Sequence, residues 1–299
     1  MNIRNVILSS VEWYSNISRV ERGKAALQRL ALGLLNFRSI LATSRYGSKF
    51  IIRIPEDHAW TDVYFRGTYE TGTMKVLNTL LQPGDIVFDV GANIGWYTTH
   101  MAQLVRSGQC HAFEPLPTAF EALKRNCALN GLSSEVRLNQ LALGESEGAA
   151  HLYVFERLAH SRSSLSTLGR TDYTACEVPM ITIDKYATAN GITRVDLVKV
   201  DVEGAEMSVL RGAGSLFELD FPPIWVIEMN VETADNFGYV PSDLLSYVES
   251  HGDYRFYRIV GNGWGPHRPM SSLSDYQDGD NVICVPGRRI SRWREVCLQ

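Results

Sequence analysis

At 299 residues, with 45% hydrophobic and 21% charged side chains, the chain reads as globular and long enough for one large core plus an appendage. Its five cysteines (Cys110, Cys127, Cys176, Cys284, Cys297) form an odd set without C-x-x-C or Cys/His ligand spacing. That argues against a disulfide framework or a structural zinc, and for a reducing, cytoplasmic setting. The net charge of −4 is uneven: residues 1–53 hold nine Lys/Arg against two acids, +7, which leaves 20 bases against 31 acids, −11, for the rest. A body that acidic lacks the basic face a nucleic-acid partner would want.

The start, MNIRNVILSSVEWYSNISRVERG, has apolar residues interrupted by Glu12, with no small-residue cleavage site and no span of about 20 apolar residues. Neither export nor a transmembrane segment is expected. The stretch KAALQRLALGLLNFRSILAT carries Leu27, Leu30, Leu34, Phe37 and Leu41 at three- and four-residue spacing, which predicts a helix with one apolar stripe. Such a helix packs on its own domain or on a second subunit, giving a homo-oligomer; a membrane surface or an acidic substrate is the alternative. We therefore expect a basic helical appendage at 1–48 and a catalytic domain at 49–299.

From about residue 50, short aliphatic runs alternate with helical stretches, the pattern of a parallel sheet with helices on both faces. Strands are predicted at 85–90, 109–115, 136–143, 195–202, 223–230, 254–259 and 280–286, with helices at 97–107, 116–131, 205–217 and 241–252. The piece from 145 to 194 breaks this rhythm. AAHLYVFE and CEVPMITID look like an inserted β-ribbon joined by the Ser-rich HSRSSLSTLGR.

The first core strand runs into FDVGANIGWYTTH, where Gly91 and Gly95 flank Asn93. Glycine lets a backbone come close to a ligand, and Asn is among the few other residues that tolerate positive φ. A dinucleotide fingerprint would read G-x-G-x-x-G, but this turn is G-x-x-x-G and lacks the glycine that admits a pyrophosphate. Asp89, two residues before the turn, would repel phosphate and attract a cation. At the end of the next strand HAFEP supplies Glu114 and Pro115, with the acid placed to accept both hydroxyls of a ribose. Each acid alone could be a turn cap or a solvated loop residue. In order they describe ribose plus positive charge without phosphate, as in S-adenosyl-L-methionine.

DIVFDVGANIGWYT, HAFEPLPTAFEALKRNCALNG, VDLVKVDVEGAEMSVLRGA and WVIEMN, in this order, resemble the FkbM family of S-adenosylmethionine-dependent methyltransferases over roughly residues 65–286. The resemblance implies a class I methyltransferase fold: a Rossmann-like, doubly wound α/β sheet of seven strands whose last, NVICVP, is antiparallel. It matches Asp89, Gly91, Asn93, Gly95 and Tyr97 to the family's cofactor turn and Glu114 to its ribose acid. GTYETGTM resembles the upstream approach segment, which brings Glu70 toward the cofactor or a nearby turn.

Chemistry is expected in LVKVDVEGAE and IEMN. Methyl transfer is an in-line displacement, so positioning supplies much of the acceleration, and an alcohol acceptor must also shed a proton. Asp201, at a strand end over the cofactor's methionine side, is the foremost catalytic candidate. Lys199, on the same strand face, is its ion-pair partner or an orienting group. Glu203 and Glu206 suit a cap and a first helical turn. Glu228 would face Asp201 from the next strand end, with Asn230 beyond it; these three oxygen donors could hold Mg²⁺, or the two carboxylates could act as a base with a helper. His160 and His151 are the remaining candidate bases.

Acceptor choice is assigned to the 145–194 insertion, where His160, Arg162, Ser163, Ser164 and Ser166 make a polar loop. The expected partner is a small-molecule or glycan acceptor, methylated on a hydroxyl of a sugar or secondary metabolite. An NAD-type oxidoreductase or a non-catalytic adenosyl-binding module on the same fold is the alternative.

Overall fold

The computed structural model of the protein describes residues 3–17, 24–54, 57, 60–155, 163–167 and 169–297. Helices α1 (Ile3–Ile17) and α2 (Lys24–Leu34) lead into a hairpin of β1 (Ser39–Thr43) and β2 (Lys49–Arg53), followed by α3 (Thr61–Arg66) and α4 (Thr71–Leu80). The alternating part then begins with β3 (Ile86–Val90), α5 (Trp96–Val105), β4 (Gln109–Phe113), α6 (Pro117–Leu129) and β5 (Val136–Asn139). A second, four-stranded sheet is built from β6 (Ala142–Leu143), β7 (Gly148–Phe155), β8 (Ser163–Ser164) and β9 (Tyr173–Ile181). After α7 (Ile183–Ala189) the chain returns to the main sheet as β10 (Leu197–Val200). It continues through α8 (Glu206–Arg211), α9 (Gly214–Phe217), β11 (Ile224–Met229), α10 (Val231–Asp235) and α11 (Pro241–Ser250). The end is β12 (Tyr254–Ile259), β13 (His267–Pro269), β14 (Asp280–Pro286) and α12 (Ile290–Cys297).

The main sheet runs β13-β12-β14-β11-β10-β3-β4-β5. From β5 to β11 the neighbours are parallel, whereas β14 is antiparallel to both β11 and β12. Central strands such as LVKV and DNVICVP are buried at every position, as strands covered on both faces must be. One apolar cluster, with Trp96, Met101 and Leu123, fills one face; the other, with Val209, Leu216 and Leu245, fills the opposite face. The chain winds outward in both directions from β3 and β10, so a crevice opens where their carboxyl ends part.

Three expectations are corrected. The main sheet has eight strands, not seven, because the short β13 adds an edge. The strand expected at 136–143 is two: β5 joins the main sheet, then β6 leaves it to pair in parallel with β9. The helix expected through Leu41 stops at Leu34, where Asn36 takes φ 52° and the Phe37 N–H bonds back to the Leu32 carbonyl at 3.1 Å. A left-handed residue with this back-bonding is a helix stop, and Leu41 belongs to β1.

The boundary expected at 48/49 falls inside the β1–β2 hairpin, whose register pairs Thr43 with Lys49 and Ser39 with Arg53. Phe50 is buried with its ring 5.4 Å from that of Trp96, and the Ile51 N–H donates to Asn126 Oδ1 at 3.0 Å. Ser44 Oγ meets His100 Nε2 at 3.0 Å. β2 and the turn that follows β1 are therefore bolted to α5 and α6, and a cut between the paired strands would divide one packed unit.

Candidate functional site

A cavity of ≈ 300 Å³ lies beyond the carboxyl ends of β3, β4, β10 and β11, lined on its strand side by Gly91, Asn93, Glu114, Asp201 and Glu228. The turn after β3 is shaped by positive φ at Gly91 (88°), Asn93 (48°) and Gly95 (91°). Its glycines do different work from that expected. A Cβ on Gly91 would lie 1.8 Å from the Asp201 carbonyl oxygen, so this glycine lets the β3 and β10 turns touch. Gly95 does not line the cavity; a Cβ there would meet Leu123 Cδ1 at 2.7 Å, so it serves the packing of α5 on α6.

Glu114 is anchored by that turn. Its Oε2 accepts the Asn93 N–H and its Oε1 the Leu116 N–H, each at 2.8 Å. Burial pushes its carboxyl up to about 7, with the two backbone donors pulling the other way. Pro115, beside it, also lines the cavity.

Asp89 is placed differently. Strand alternation turns Val90 to the cavity and leaves Asp89 off its lining, where it accepts from Thr98 Oγ1 at 2.5 Å. Burial raises it to about 6, opposed by Lys199 and by the Thr98 bond. Asp89 is thus a buried support below the turn, not a wall of the cavity.

The far end of the cavity is rich in carboxyls. Glu70, at φ 45° before α4, accepts on Oε2 from the Tyr97 hydroxyl, from Asn281 Nδ2 at 2.8 Å and from Thr73 Oγ1 at 3.3 Å. Burial raises its pKa, and Lys199 offsets part of that rise. Tyr97 lines the cavity as expected, and the Lys199 ammonium sits 4.4 Å from its ring centre. Lys199 Nζ contacts Asp201 Oδ2 at 2.7 Å. Burial alone would discharge this lysine, but Asp201, Glu70 and Asp89 outweigh it and hold the pKa above the ordinary range. Lys199 lies under the floor rather than on it.

Glu228 faces the same cavity. Burial first, then Asp201, Glu203, Glu206 and Glu70, push its carboxyl well above the usual range, and its Oε2 atom is buried without a hydrogen-bond partner. Both causes favour its acid form over the carboxylate. Asn230 is not part of the cavity: its Oδ1 caps α10 by accepting the Thr233 N–H at 3.1 Å. Among the described residues no group of three His, Cys, Asp or Glu side chains is arranged to hold a metal ion. The donors present do not fit the Mg²⁺ site that Asp201, Glu228 and Asn230 were expected to make.

His160 and Arg162 lie outside the described residues, and His151 is exposed on β7, off the cavity lining. Of the insertion, Ser163 and Leu165 line the cavity, and Ser164 Oγ donates to the Glu203 carbonyl at 2.7 Å. The sequence reading passed over Leu141, Leu143 and Leu152, which make an apolar wall, and over Trp60, Tyr69 and Trp96. Asn262, at φ 54°, enters from the GNGWG loop, whose glycines were the overlooked signal.

An apolar slot, an acid held by two backbone N–H groups, and a carboxyl-rich far end at the switch point of a doubly wound sheet together define the class of S-adenosylmethionine-dependent methyltransferases. The family described as "Methyltransferase FkbM domain" matches residues 89–256, and the chain belongs to it. It is 29% identical over 200 residues to the 31-O-demethyl-FK506 methyltransferase FkbM of Streptomyces tacrolimicus, covering 58% of this chain and 74% of that one. The methyltransferase sdnD of Sordaria araneosa is 26% identical over 208 residues, covering 60% of this chain and 78% of that one. The hexuronic acid methyltransferase AglP of Haloferax volcanii is 27% identical over 183 residues, covering 61% and 71%. The dinucleotide oxidoreductase and non-catalytic alternatives fall away. No helix among the described residues is long and apolar enough to cross a membrane.

Proposed function

We propose that the chain methylates a hydroxyl on a sugar or secondary metabolite. Glu114 would hold the ribose hydroxyls of S-adenosyl-L-methionine, and the carboxyl-rich end would face the cofactor's cationic part and the acceptor. The observation that carries this is the state of Glu114: each oxygen takes one backbone N–H, so the carboxylate is fixed in place with acceptor capacity left over for two hydroxyls. The apolar wall of Leu141, Leu143 and Leu152 suits a flat base beside it.

When bound, the cofactor supplies an electrophilic methyl carbon. Asp201, fixed by Lys199, takes the acceptor hydroxyl's proton as the oxygen attacks. Glu228, whose buried, carboxyl-rich surroundings favour its acid form, offers a hydrogen bond to the acceptor. The β7–β9 ribbon selects the acceptor through Ser163 and Leu165. Support for oxygen as the acceptor atom comes from the relative whose substrate is named 31-O-demethyl-FK506, and for a sugar from the one named for hexuronic acid.

Calorimetry with S-adenosyl-L-methionine and its demethylated product tests the cofactor half. A hydroxylated acceptor panel read by mass shift, with wild type beside Asp201→Asn, tests the rest. Transfer to nitrogen or carbon acceptors only would overturn the hydroxyl assignment.

A further inference from the structure

The chain leaves β10 at Val200 and enters α8 at Glu206. Between them a turn supplies Asp201, Val202, Glu203 and Ala205 to the lining of the cavity. The turn is not relaxed: Glu203 takes φ 55° and Gly204 φ 108°. A residue that carries a Cβ persists at such a positive φ only where its surroundings hold it there. A Cβ on Gly204 would lie 2.6 Å from Phe237 Cε2 and 3.0 Å from the Thr233 carbonyl oxygen, so the turn is also pressed against α10 and the chain that follows it.

Two side chains that do not line the cavity hold this turn. Glu206 is buried, and its Oε1 accepts the Val202 N–H at 3.1 Å and the Gly204 N–H at 3.2 Å, so one oxygen gathers two N–H groups of the turn. Its Oε2 accepts from the Tyr239 hydroxyl at 2.9 Å, and the same hydroxyl reaches the Gly204 carbonyl at 2.9 Å. Tyr239 stands between α10 and α11, with its ring packed on the apolar cluster of that face. An acid in a first helical turn is expected to serve the helix's own N–H groups. This one reaches back two and four residues, into the segment that carries Asp201 and Glu203. From the other side, Ser164 of the ribbon bonds the Glu203 carbonyl.

We propose that Glu206 and Tyr239 are positioning residues for the methyl transfer: they fix the 201–204 turn so that Asp201 and Glu203 face the cavity, and they touch neither cofactor nor acceptor. Their role rests on the methyl-transfer reading of the cavity, with Asp201 as the proton acceptor. An in-line displacement is sensitive to placement, and a shift of about 1 Å in a reacting group costs up to about 10²-fold in rate. The carboxyl–hydroxyl pair also ties the α10–α11 connection to the floor of the site, a link that no local sequence window contains.

Three variants of the full chain test this. Tyr239→Phe removes one hydroxyl and keeps the ring in its packing, so it should melt as a folded protein. Glu206→Ala strips two N–H groups of their acceptor, whereas Glu206→Gln keeps an oxygen for them and an amide N–H for the tyrosine oxygen. Without any ligand, amide hydrogen exchange read by NMR at Val202 and Gly204 should be about tenfold faster in Glu206→Ala and close to wild type in Glu206→Gln. With S-adenosyl-L-methionine and the acceptor that the hydroxyl panel identifies, Tyr239→Phe should lower kcat about tenfold and Glu206→Ala about 10²-fold. Cofactor Kd should stay within about threefold, and Glu206→Gln should restore kcat. In an Asp201→Asn background Tyr239→Phe should cost nothing further, as for residues that act through one group. Wild-type turnover of Tyr239→Phe beside an impaired Asp201→Asn, or a double variant whose losses add, overturns the positioning role and leaves transfer through Asp201 standing. So does unchanged exchange at Val202 and Gly204 in a folded Glu206→Ala. A fully active Asp201→Asn overturns both.

Discussion

Replacing Glu114 by Gln keeps the shape of the side chain and removes its charge. In the wild type both oxygens accept backbone N–H groups, from Asn93 and Leu116 at 2.8 Å each. Glutamine has one oxygen, so its amide must point N–H at N–H on one side. A hydrogen bond to a charged group is worth about 1.5–3 kcal/mol and a neutral one about 0.5–1.5, so two ribose contacts together lose about 2–3 kcal/mol. That is about 30- to 150-fold in Kd. Isothermal calorimetry with S-adenosyl-L-methionine reads the loss, and a melting curve shows that the fold survives. The pH dependence adds a second signature. Burial holds the carboxyl at about 7 in the free protein, so it must shed a proton to accept two hydroxyls, and wild-type affinity should climb as pH rises from about 6 to about 8. The sign for stability is opposite. A folded pKa raised above the unfolded value means that its contribution is fully present below the unfolded pKa of about 4.5 and is lost as pH rises through about 7. The Gln variant should show neither slope. An unchanged Kd in a variant that melts normally, or a flat wild-type affinity profile, would refute the reasoning.

Four further outcomes are expected. Asp201→Asn should lower turnover about 10²- to 10⁴-fold while leaving cofactor Kd nearly unchanged, measured by single-turnover kinetics beside calorimetry. Glu228→Gln should gain melting temperature relative to wild type as pH rises above the ordinary carboxyl range, because ionising a carboxyl whose pKa is raised by burial and neighbouring carboxyls removes stability that an amide keeps; identical melting profiles across pH would show that the Glu228 pKa is not raised. Turnover should be indifferent to EDTA, since Asn230 is committed to capping α10 and no three-donor cluster is arranged among the described residues. A truncation beginning at Ser48 should fail to fold or should aggregate, because it strips β1 from β2 and uncovers Phe50; a monomer with wild-type melting would show the hairpin to be dispensable.

The central strands were legible because nothing competes with burial there. Asp280–Pro286 has the bounds that its apolar run predicts; Tyr254–Ile259, half-buried with Arg255 exposed, also has the predicted bounds. Period-two alternation likewise anticipated that Lys199 and Asp201 share a strand face, and they meet at 2.7 Å. The same alternation was not applied to Asp89, which sits one residue before the lining residue Val90 and so points away. The hairpin was missed for a different reason. Leu34, Phe37 and Leu41 continue a helical spacing, and only the left-handed Asn36 reveals that the chain has turned. Periodicity also cannot tell which face of a helix is covered, and α2 buries Gln28 because Ser15, Asp62 and Thr61 offer it partners. Those partners come from elsewhere in the chain, beyond any local window. Glu70 rests on the same kind of long-range contact, through Asn281 on β14.

A cavity lined by Glu70, Glu114, Asp201, Glu203 and Glu228 would, if fully ionised, be hostile to the alkoxide character that develops as a hydroxyl attacks. The fold relieves that hostility in two places. Lys199, buried yet charged, cancels Asp201 directly, and its position over Tyr97 keeps it from swinging into the cavity. At Glu228, burial and then four neighbouring carboxyls favour the acid form, which lessens the charge it adds. The remaining carboxyls are Glu114, fixed by backbone donors, Glu70, fixed by Tyr97 and Asn281, and Glu203. In the proposed reaction these carboxyls attract a cationic cofactor. Asp201 can then receive a proton beside a compensating cation that stays beneath the cavity floor.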